Sequence, residues 1–257
     1  MKLLILAAGY ATRLYPLTLH QAKPLLTVAG RPMIEHILEK FRGAKDLDAV
    51  FIVTNARFAA DFERWAATFQ SSNLPTFQLK IINDGSTSND DRLGAVGDLD
   101  LVLRTARVED DLVVVAGDNL FTESAAGFLA AARAHAARGH ATIATYDVGD
   151  LAQVRQKFNS LQTDADGRVT SFIEKDPNAT NTITAICLYY FPRATLPFVA
   201  KYLTEAKGSP DQPGRYIQWL YPQKLVYTYR LGGLWWDIGS HETLAEADRA
   251  FSRAKQQ

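Results

Sequence analysis

Cysteine is almost absent: Cys187 stands alone among 257 residues. A lone thiol excludes a disulfide framework and a cysteine-built zinc site, and it favours a reducing, cytoplasmic setting. Charge of one sign is missing as well. Twenty-eight Lys and Arg balance 28 Asp and Glu, for a formal net charge of zero. Broad nucleic-acid binding, which draws on a basic stripe, is therefore not expected. Long apolar runs are lacking too. Residues 3–8 form an apolar run of six, followed soon by Arg13. That is short for the apolar region of a signal peptide and far below the ~20 residues of a membrane span. A buried first strand is expected instead, with no membrane partner.

Several catalytic signatures are absent. "AAGYAT" after the first strand carries one glycine, so it matches neither the P-loop nor the dinucleotide fingerprint. No G-x-S-x-G elbow and no H-x-x-x-H pair occurs, and "DADGRV" lacks carboxylates at the first and last positions of a calcium loop. A hairpin turn is the expected reading of that segment. His36 and His135 are expected to be surface or packing residues.

What is present is an ordinary folding composition, 47% hydrophobic and 22% charged. Apolar runs predict strands over 2–7, 49–54, 77–83 and 112–116. Helical patterns fall over 32–41, 57–69, 95–105 and 124–138. Strands this uniformly apolar, alternating with helices, predict an α/β fold with a mostly parallel sheet covered on both faces. Farther on, shorter strands are expected over 158–163, 168–174 and 184–191, with helices over 193–204 and 241–254. One continuous domain with two lobes, 1–145 and 146–257, is the expected organisation.

In such sheets ligands bind beyond the carboxyl ends of the strands. The segments after Ala7, Asn83 and Ala116 are thus the first candidates. "AAGYATRLYPLTLHQAKPLL" follows strand one with a small-residue turn and two cations, Arg13 and Lys23, a combination suited to a triphosphate. Solvated loop charges would look the same. "VVVAGDNLF" places Asp118 at the sheet's carboxyl edge, where a carboxylate and phosphate oxygens suit Mg²⁺. "GGLWWDIGS" sets Asp237 among apolar residues, where a carboxylate needs a partner, either functional or a helix N-terminus. Glu174 and Lys175 in "SFIEKDPN" pair an acid with a base, which fits a phosphorylated polyol or simply a solvated strand end.

Together these segments resemble the sugar-phosphate nucleotidyltransferase family, especially its glucose-1-phosphate thymidylyltransferase-like branch. "LAAGYATRLYPLT" is similar to the family's L-A-G/A-G-x-G-T-R-L-x-P-L-T, and "AKPLLTV" to its P-K-x-L-x-P-V. "AGDNLF", "EKDP" and "WWDIGSHE" parallel its G-D-N, E-K-P and W-x-D-I-G-[ST]-x-E. "DQPGRYIQWLY" is similar to a segment some members carry. The motifs run in the family's order from residue 3 to about 249.

The resemblance implies a Rossmann-like, GT-A-like sheet and Mg²⁺-dependent transfer of a nucleotidyl group from a nucleoside triphosphate to a sugar 1-phosphate, with release of pyrophosphate. Such a transfer relies on positioning and charge neutralisation rather than a protein nucleophile. By match to the motifs, Arg13 would hold pyrophosphate and Lys23 the reacting phosphates, with Asp118 catalytic. Asp118 and Asp237 would share the metal. Ala7, Ala8, Gly9, Asn83, Leu93 and Gly94 would line the nucleoside, Asn83 as a base-reading amide. Glu174, Lys175 and Asn159 would meet the acceptor.

Departures from the family pattern bear on specificity. Ala11 replaces the second glycine, which predicts a backbone that avoids positive φ. Ala22 replaces a proline, and "SNDDRLGAVGDL" replaces the base-side segment. Asn159 stands where many members have glycine, and "TAICLYYF" lacks the glycine before its tyrosine. Cytidylyl transfer to a non-sugar phosphate such as phosphocholine, or a non-catalytic sensor, are the alternatives. No hexapeptide repeat appears, so no second acyltransferase activity is expected. Aromatics such as Trp219 suit a core or a homo-oligomer interface.

Overall fold

A computed structural model describes residues 1–73, 77–206 and 210–254. In chain order the strands and helices are β1 (Lys2–Leu6), β2 (Thr27–Val28), β3 (Arg31–Pro32), α1 (Met33–Lys40), β4 (Ala49–Thr54), α2 (Ala59–Asn73) and β5 (Gln78–Asn83). Next come α3 (Ala95–Thr105), β6 (Leu112–Ala116), β7 (Asn119–Phe121), α4 (Ala126–Ala136), β8 (Ala141–Asp147), α5 (Leu151–Lys157), β9 (Ser160–Thr163) and β10 (Val169–Ile173). The chain closes with β11 (Ile183–Phe191), α6 (Pro197–Glu205), α7 (Pro213–Leu220), β12 (Val226–Arg230), β13 (Trp235–Asp237) and α8 (His241–Ala254).

Seven strands form one sheet in the order β12-β8-β11-β6-β1-β4-β5. β11 runs antiparallel to both neighbours, and the other pairings are parallel. Successive strand residues point to opposite faces, so β1 serves two cores at once. Leu3 and Ile5 pack with Val50, Ile52, Phe62 and Phe128 on one face. Leu4 packs with Phe51, Val53, Val102 and Tyr216 on the other. Both faces are therefore covered, as the apolar runs require. Each such side chain, fully buried, stabilises the fold by roughly 1.5–3 kcal/mol.

The sheet takes strands from both halves of the chain, and β11 is its longest strand at nine residues. β8, "ATIATYD", lies buried between β11 and β12, a strand its alanine and threonine content conceals from a hydrophobicity reading. "DADGRV" does form the turn of a hairpin joining β9 to β10, with Gly167 at φ +80°. His36 is buried, its Nε2 2.7 Å from the Val28 carbonyl oxygen and its ring edge-on to Phe251. Trp219 packs against Phe198, Tyr202 and Tyr216. Among the described residues no helix is long and apolar enough to cross a membrane.

Candidate active site

The carboxyl ends of β1, β4, β5 and β6 lie side by side, and the loops leaving them build the first half of the site. After β1 the chain turns sharply. Asn55, buried behind it, donates from Nδ2 to the Ala8 carbonyl at 2.9 Å and accepts from Phe58 N. Ala7 N–H donates to the Val53 carbonyl. Nothing lies within 4 Å of where a Cβ on Gly9 would stand, so the space above this turn is open.

Ala11 corrects an expectation. Its φ of +48° and ψ of +42° put it in the left-handed region despite its Cβ. The Ala11 carbonyl accepts from Leu14 N and from Thr18 Oγ1 at 2.8 Å. Those bonds hold the turn in a conformation that costs an L-residue roughly 1–2 kcal/mol. The backbone path that glycine would take freely is thus kept by local hydrogen bonding.

Arg13 follows in a short 3₁₀ turn, exposed and with no carboxylate partner among the described residues. Lys23 begins a second 3₁₀ turn and reaches inward. Its Nζ donates to Asp118 Oδ2 at 2.5 Å and to the Ile238 carbonyl at 2.9 Å. Gly117 makes that crossing possible. A Cβ there would lie 2.8 Å from Pro24 Cγ and 2.9 Å from the Leu6 carbonyl oxygen. The Lys23-Pro24 segment can press onto the end of β6 only because residue 117 has no side chain.

Asp237 arrives from far along the chain. β13 pairs antiparallel with β7, setting Asp237 opposite Asn119, and Ile238 N donates to the Asp118 carbonyl at 3.0 Å. Burial, then the charge of Asp118, hold the Asp237 carboxyl above the usual range, while Lys23, Lys157 and Arg13 pull it back. Two carboxylates and three cations therefore converge here. Among the described residues no cluster of three or more His, Cys, Asp or Glu is arranged to hold a metal. Two carboxylates are nevertheless the donor set Mg²⁺ takes when phosphate oxygens and water complete its shell.

The second half of the site forms around an irregularity in β11. Its register against β8 slips between Ala185 and Tyr189, a bulge of the kind that re-aims side chains near functional sites. Asn159 grips it: Oδ1 accepts from Ala185 N at 2.7 Å and from Thr184 Oγ1, while Nδ2 donates to the Ala185 carbonyl. Asn119 Nδ2 donates to the Cys187 carbonyl from the other side. The Asn159 amide is thus spent on backbone. Cys187 faces Asp118, Glu174 and Asp237, and burial plus those charges push its thiol well up, leaving it inert.

Glu174 ends the hairpin, with its backbone N–H held by Gln218 Oε1 at 2.9 Å. Burial raises its carboxyl, and Lys175 and Arg215 oppose that rise. Lys175 sits at φ +53°. The next residue, Asp176, is buried, bonded by Ser160 Oγ and by Asn178 N at 2.9 Å, and pins the turn. On the nucleotide side, Asn83 ends β5 exposed, and Leu93 is partly exposed. Gly94, at φ +78°, backs against Asp211, where a Cβ would fall 2.7 Å from the backbone nitrogen.

Hydrogen bonds thus bring Lys23, Asp118 and the backbone of Ile238 together, the charges of Asp118, Asp237 and Glu174 all act on Cys187, and Asn159 is buried against the β11 bulge. Sequence reasoning did not single out Lys157, Arg215 and Gly214. Lys157 immediately precedes "FNSL", and the other two lie within "DQPGRYIQWLY", so the only signal was proximity to segments already quoted.

The chain is 28% identical over 237 residues to a putative mannose-1-phosphate guanyltransferase of Sulfolobus acidocaldarius, covering 92% of this chain and 59% of the relative. It is 24% identical to the bifunctional protein GlmU of Methanocaldococcus jannaschii, covering 97% and 54%. With the glucose-1-phosphate thymidylyltransferase of Neisseria meningitidis it shares 27% identity, covering 96% and 81%. The chain thus spans little more than half the length of the first two relatives. Among solved structures, a putative glucose-1-phosphate thymidylyltransferase from Bacillus anthracis superposes with a TM-score of 0.81 at 22% identity, covering 98% of this chain and 95% of that one. A UDP-glucose pyrophosphorylase complexed with UDP-glucose gives 0.79 at 18%, covering 100% and 99%. These two establish the fold, that of the GT-A-like nucleotidyltransferases. The profile of the family described as nucleotidyl transferase matches residues 2–253. The chain belongs to the nucleotidyl transferase family.

Proposed function

We propose that this chain joins a nucleoside triphosphate to a sugar 1-phosphate, forming a nucleoside-diphosphate sugar and pyrophosphate. The observation that carries this reading is Lys23 held between Asp118 and the backbone of residue 238, with Asp237 half-buried alongside. One cation is thereby fixed where the reacting phosphates would lie, against two carboxylates from distant parts of the chain.

In this reading an acceptor phosphate oxygen attacks the α-phosphorus in line, and the bond to the β-phosphate oxygen breaks. Arg13, which forms no ion pair among the described residues, receives the departing pyrophosphate. Lys23 neutralises the α-phosphate, and Lys157, whose charge reaches Asp237, adds to the same field. Asp118 and Asp237 would hold Mg²⁺, which offsets the negative charge of the phosphates when bound. Glu174 accepts from acceptor hydroxyls, and Lys175 binds the acceptor's phosphate. The small backbone at Ala7, Ala8 and Gly9, with Leu93 and Gly94, lines the nucleoside. Positioning and charge supply the catalysis, consistent with the inert thiol of Cys187.

The test is pyrophosphate release across the common nucleoside triphosphates, crossed with hexose 1-phosphates and phosphocholine, with Mg²⁺ present and absent. Turnover with a hexose 1-phosphate supports the proposal. Turnover with phosphocholine alone would replace it by transfer to a non-sugar phosphate, and binding without any turnover would replace it by a sensor.

A further inference from the structure

A cavity of about 340 Å³ opens at the amino ends of β8 and β12, between the turns that follow α4 and α7. β8 and β6 run in one direction, since each is antiparallel to β11. Asp118 follows the carboxyl end of β6, so this cavity lies at the opposite edge of the sheet. Arg138, His140 and Lys224 line it, and no Asp or Glu does. None of the three forms an ion pair among the described residues, although His140 and Lys224 are half-buried. Aromatic rings accompany them instead. Lys224 Nζ lies 4.9 Å from the centre of the Phe198 ring, and the Arg138 guanidinium 6.0 Å from that of Tyr227. His140 stacks on Tyr227 at 5.6 Å. A ring face attracts a cation but leaves most of its N–H donors for a ligand.

Basic residues often collect at helix C-termini, where they cap the last carbonyls. Here the backbone already does so. At the end of α4 the carbonyls of Arg133, His135 and Ala136 accept from the N–H groups of Ala137, Arg138 and Gly139. At the end of α7 those of Ile217 and Leu220 accept from the N–H groups of Tyr221, Gln223 and Lys224. The basic side chains therefore remain unspent. Their charges also repel: burial, then Arg138 and His140, hold the His135 imidazole below its ordinary range. Beside them the lining is apolar, with Tyr221, Pro222 and Leu225, the last 38% exposed. A few convergent polar groups over an apolar wall make up a small-molecule site, and the volume falls in that range. We infer that this cavity binds an organic phosphate ester, its phosphoryl oxygens on Arg138, Lys224 and His140 and its carbon body on Tyr221, Pro222 and Leu225. A phosphoryl group brings roughly two negative charges and three acceptor oxygens, which matches Arg138 and Lys224 together. A lone carboxylate would leave part of that positive charge unmet.

Hydrogen–deuterium exchange and calorimetry with glucose 6-phosphate, AMP, inorganic phosphate and tetraglutamate, each in turn, test this. At least one of the two esters is expected to slow exchange in residues 137–141 and 221–226. It should bind about tenfold or more tightly than inorganic phosphate, because its carbon body buries apolar area. The double variant Arg138→Gln, Lys224→Gln should weaken that binding about tenfold or more, while Lys224→Arg, which keeps the charge, should retain it. Should the double variant lose its fold by circular dichroism, Lys224→Glu alone makes the same comparison by reversing one charge. Protection that is absent there, or confined to residues 171–176 beside Lys175, overturns the inference. So do esters that bind no more tightly than inorganic phosphate, and binding that survives in the charge-removing variant. Tetraglutamate as the tightest ligand also overturns it, and would mark a surface for an acidic protein segment.

Discussion

The carboxylate of Glu174 fills the place where a side chain on Gly214 would stand. A Cβ built on Gly214 falls inside the Glu174 carboxyl group, which lies flush against the first turn of α7. Alanine at 214 must push Glu174 aside. The expected result of Gly214→Ala is an acceptor KM raised about tenfold, with the nucleotide KM within twofold of wild type, as a displaced contact in one half-site implies. Steady-state kinetics with each substrate varied separately reads this directly. Equal increases in both constants would place Glu174 outside the acceptor site.

Asp118 receives the Lys23 ammonium and lies beside Asp237, so its charge organises both. Asp118→Asn is expected to lower kcat about 100-fold or more while the fold persists. Circular dichroism and a turnover assay over a Mg²⁺ titration check it. Near-native turnover at ordinary Mg²⁺ would remove Asp118 from the proposed metal-binding pair.

A second pair of carboxyls, Asp84 and Asp98, lies behind the turn that carries Asn83. Burial first, then the negative charge of Asp84, a hydrogen bond with it, and the charge of Asp211 push Asp98 up to about 8. Asp98 Oδ1 and Asp84 Oδ2 are both buried and meet no other donor, so a proton held by Asp98 satisfies the pair. A carboxyl raised in the folded state binds a proton that the unfolded chain has already lost. Its contribution is therefore intact below about pH 4 and disappears as pH rises through about 8. Asp98→Asn keeps an N–H donor for Asp84 at every pH. The melting temperature of the variant should gain on wild type steadily between pH 4 and pH 8. Parallel curves across that window would show that Asp98 is not protonated in the fold.

Ala11 holds a left-handed backbone that glycine adopts without strain. Ala11→Gly should stabilise the protein by about 1 kcal/mol, or roughly 2–4 °C in melting temperature for a chain of this length. Nucleotide KM should stay near wild type, because the turn's path is unchanged. A lower melting temperature would mean that glycine's extra freedom in the unfolded chain outweighs the strain relieved.

These particulars also show why the sequence disclosed some elements and hid others. β4, β6 and α3 have the predicted bounds because their patterns were unambiguous: both strands are uninterrupted apolar runs, and α3 repeats at helical spacing. β8, α5 and β12 carry weak or mixed patterns and depend on neighbours that only the folded chain supplies, while α7, amphipathic with Pro213 at its start, is only eight residues long. The same division runs through the site. Arg13, Lys23, Asp118 and Asp237 sit in recognisable strings. Lys157 and Gly214 matter because of where α5 ends and α7 begins, which no local spacing reveals. Asn159 stood out as a replaced glycine, yet its amide serves the β11 bulge through contacts with residues 25 or 26 positions away.

The continuity of the seven-stranded sheet carries a mechanical consequence. β6 and β11 are hydrogen-bonded neighbours, and one leads to Asp118 while the bulge of the other faces both Asp118 and Glu174. A hinge between the two substrate sides would have to shear that ladder. In the proposed reaction the spacing between phosphate donor and acceptor would therefore be set like the jaws of a fixed gauge. On that proposal, adjustment to a particular substrate would fall to the turns that carry Arg13, Asn83 and Lys175.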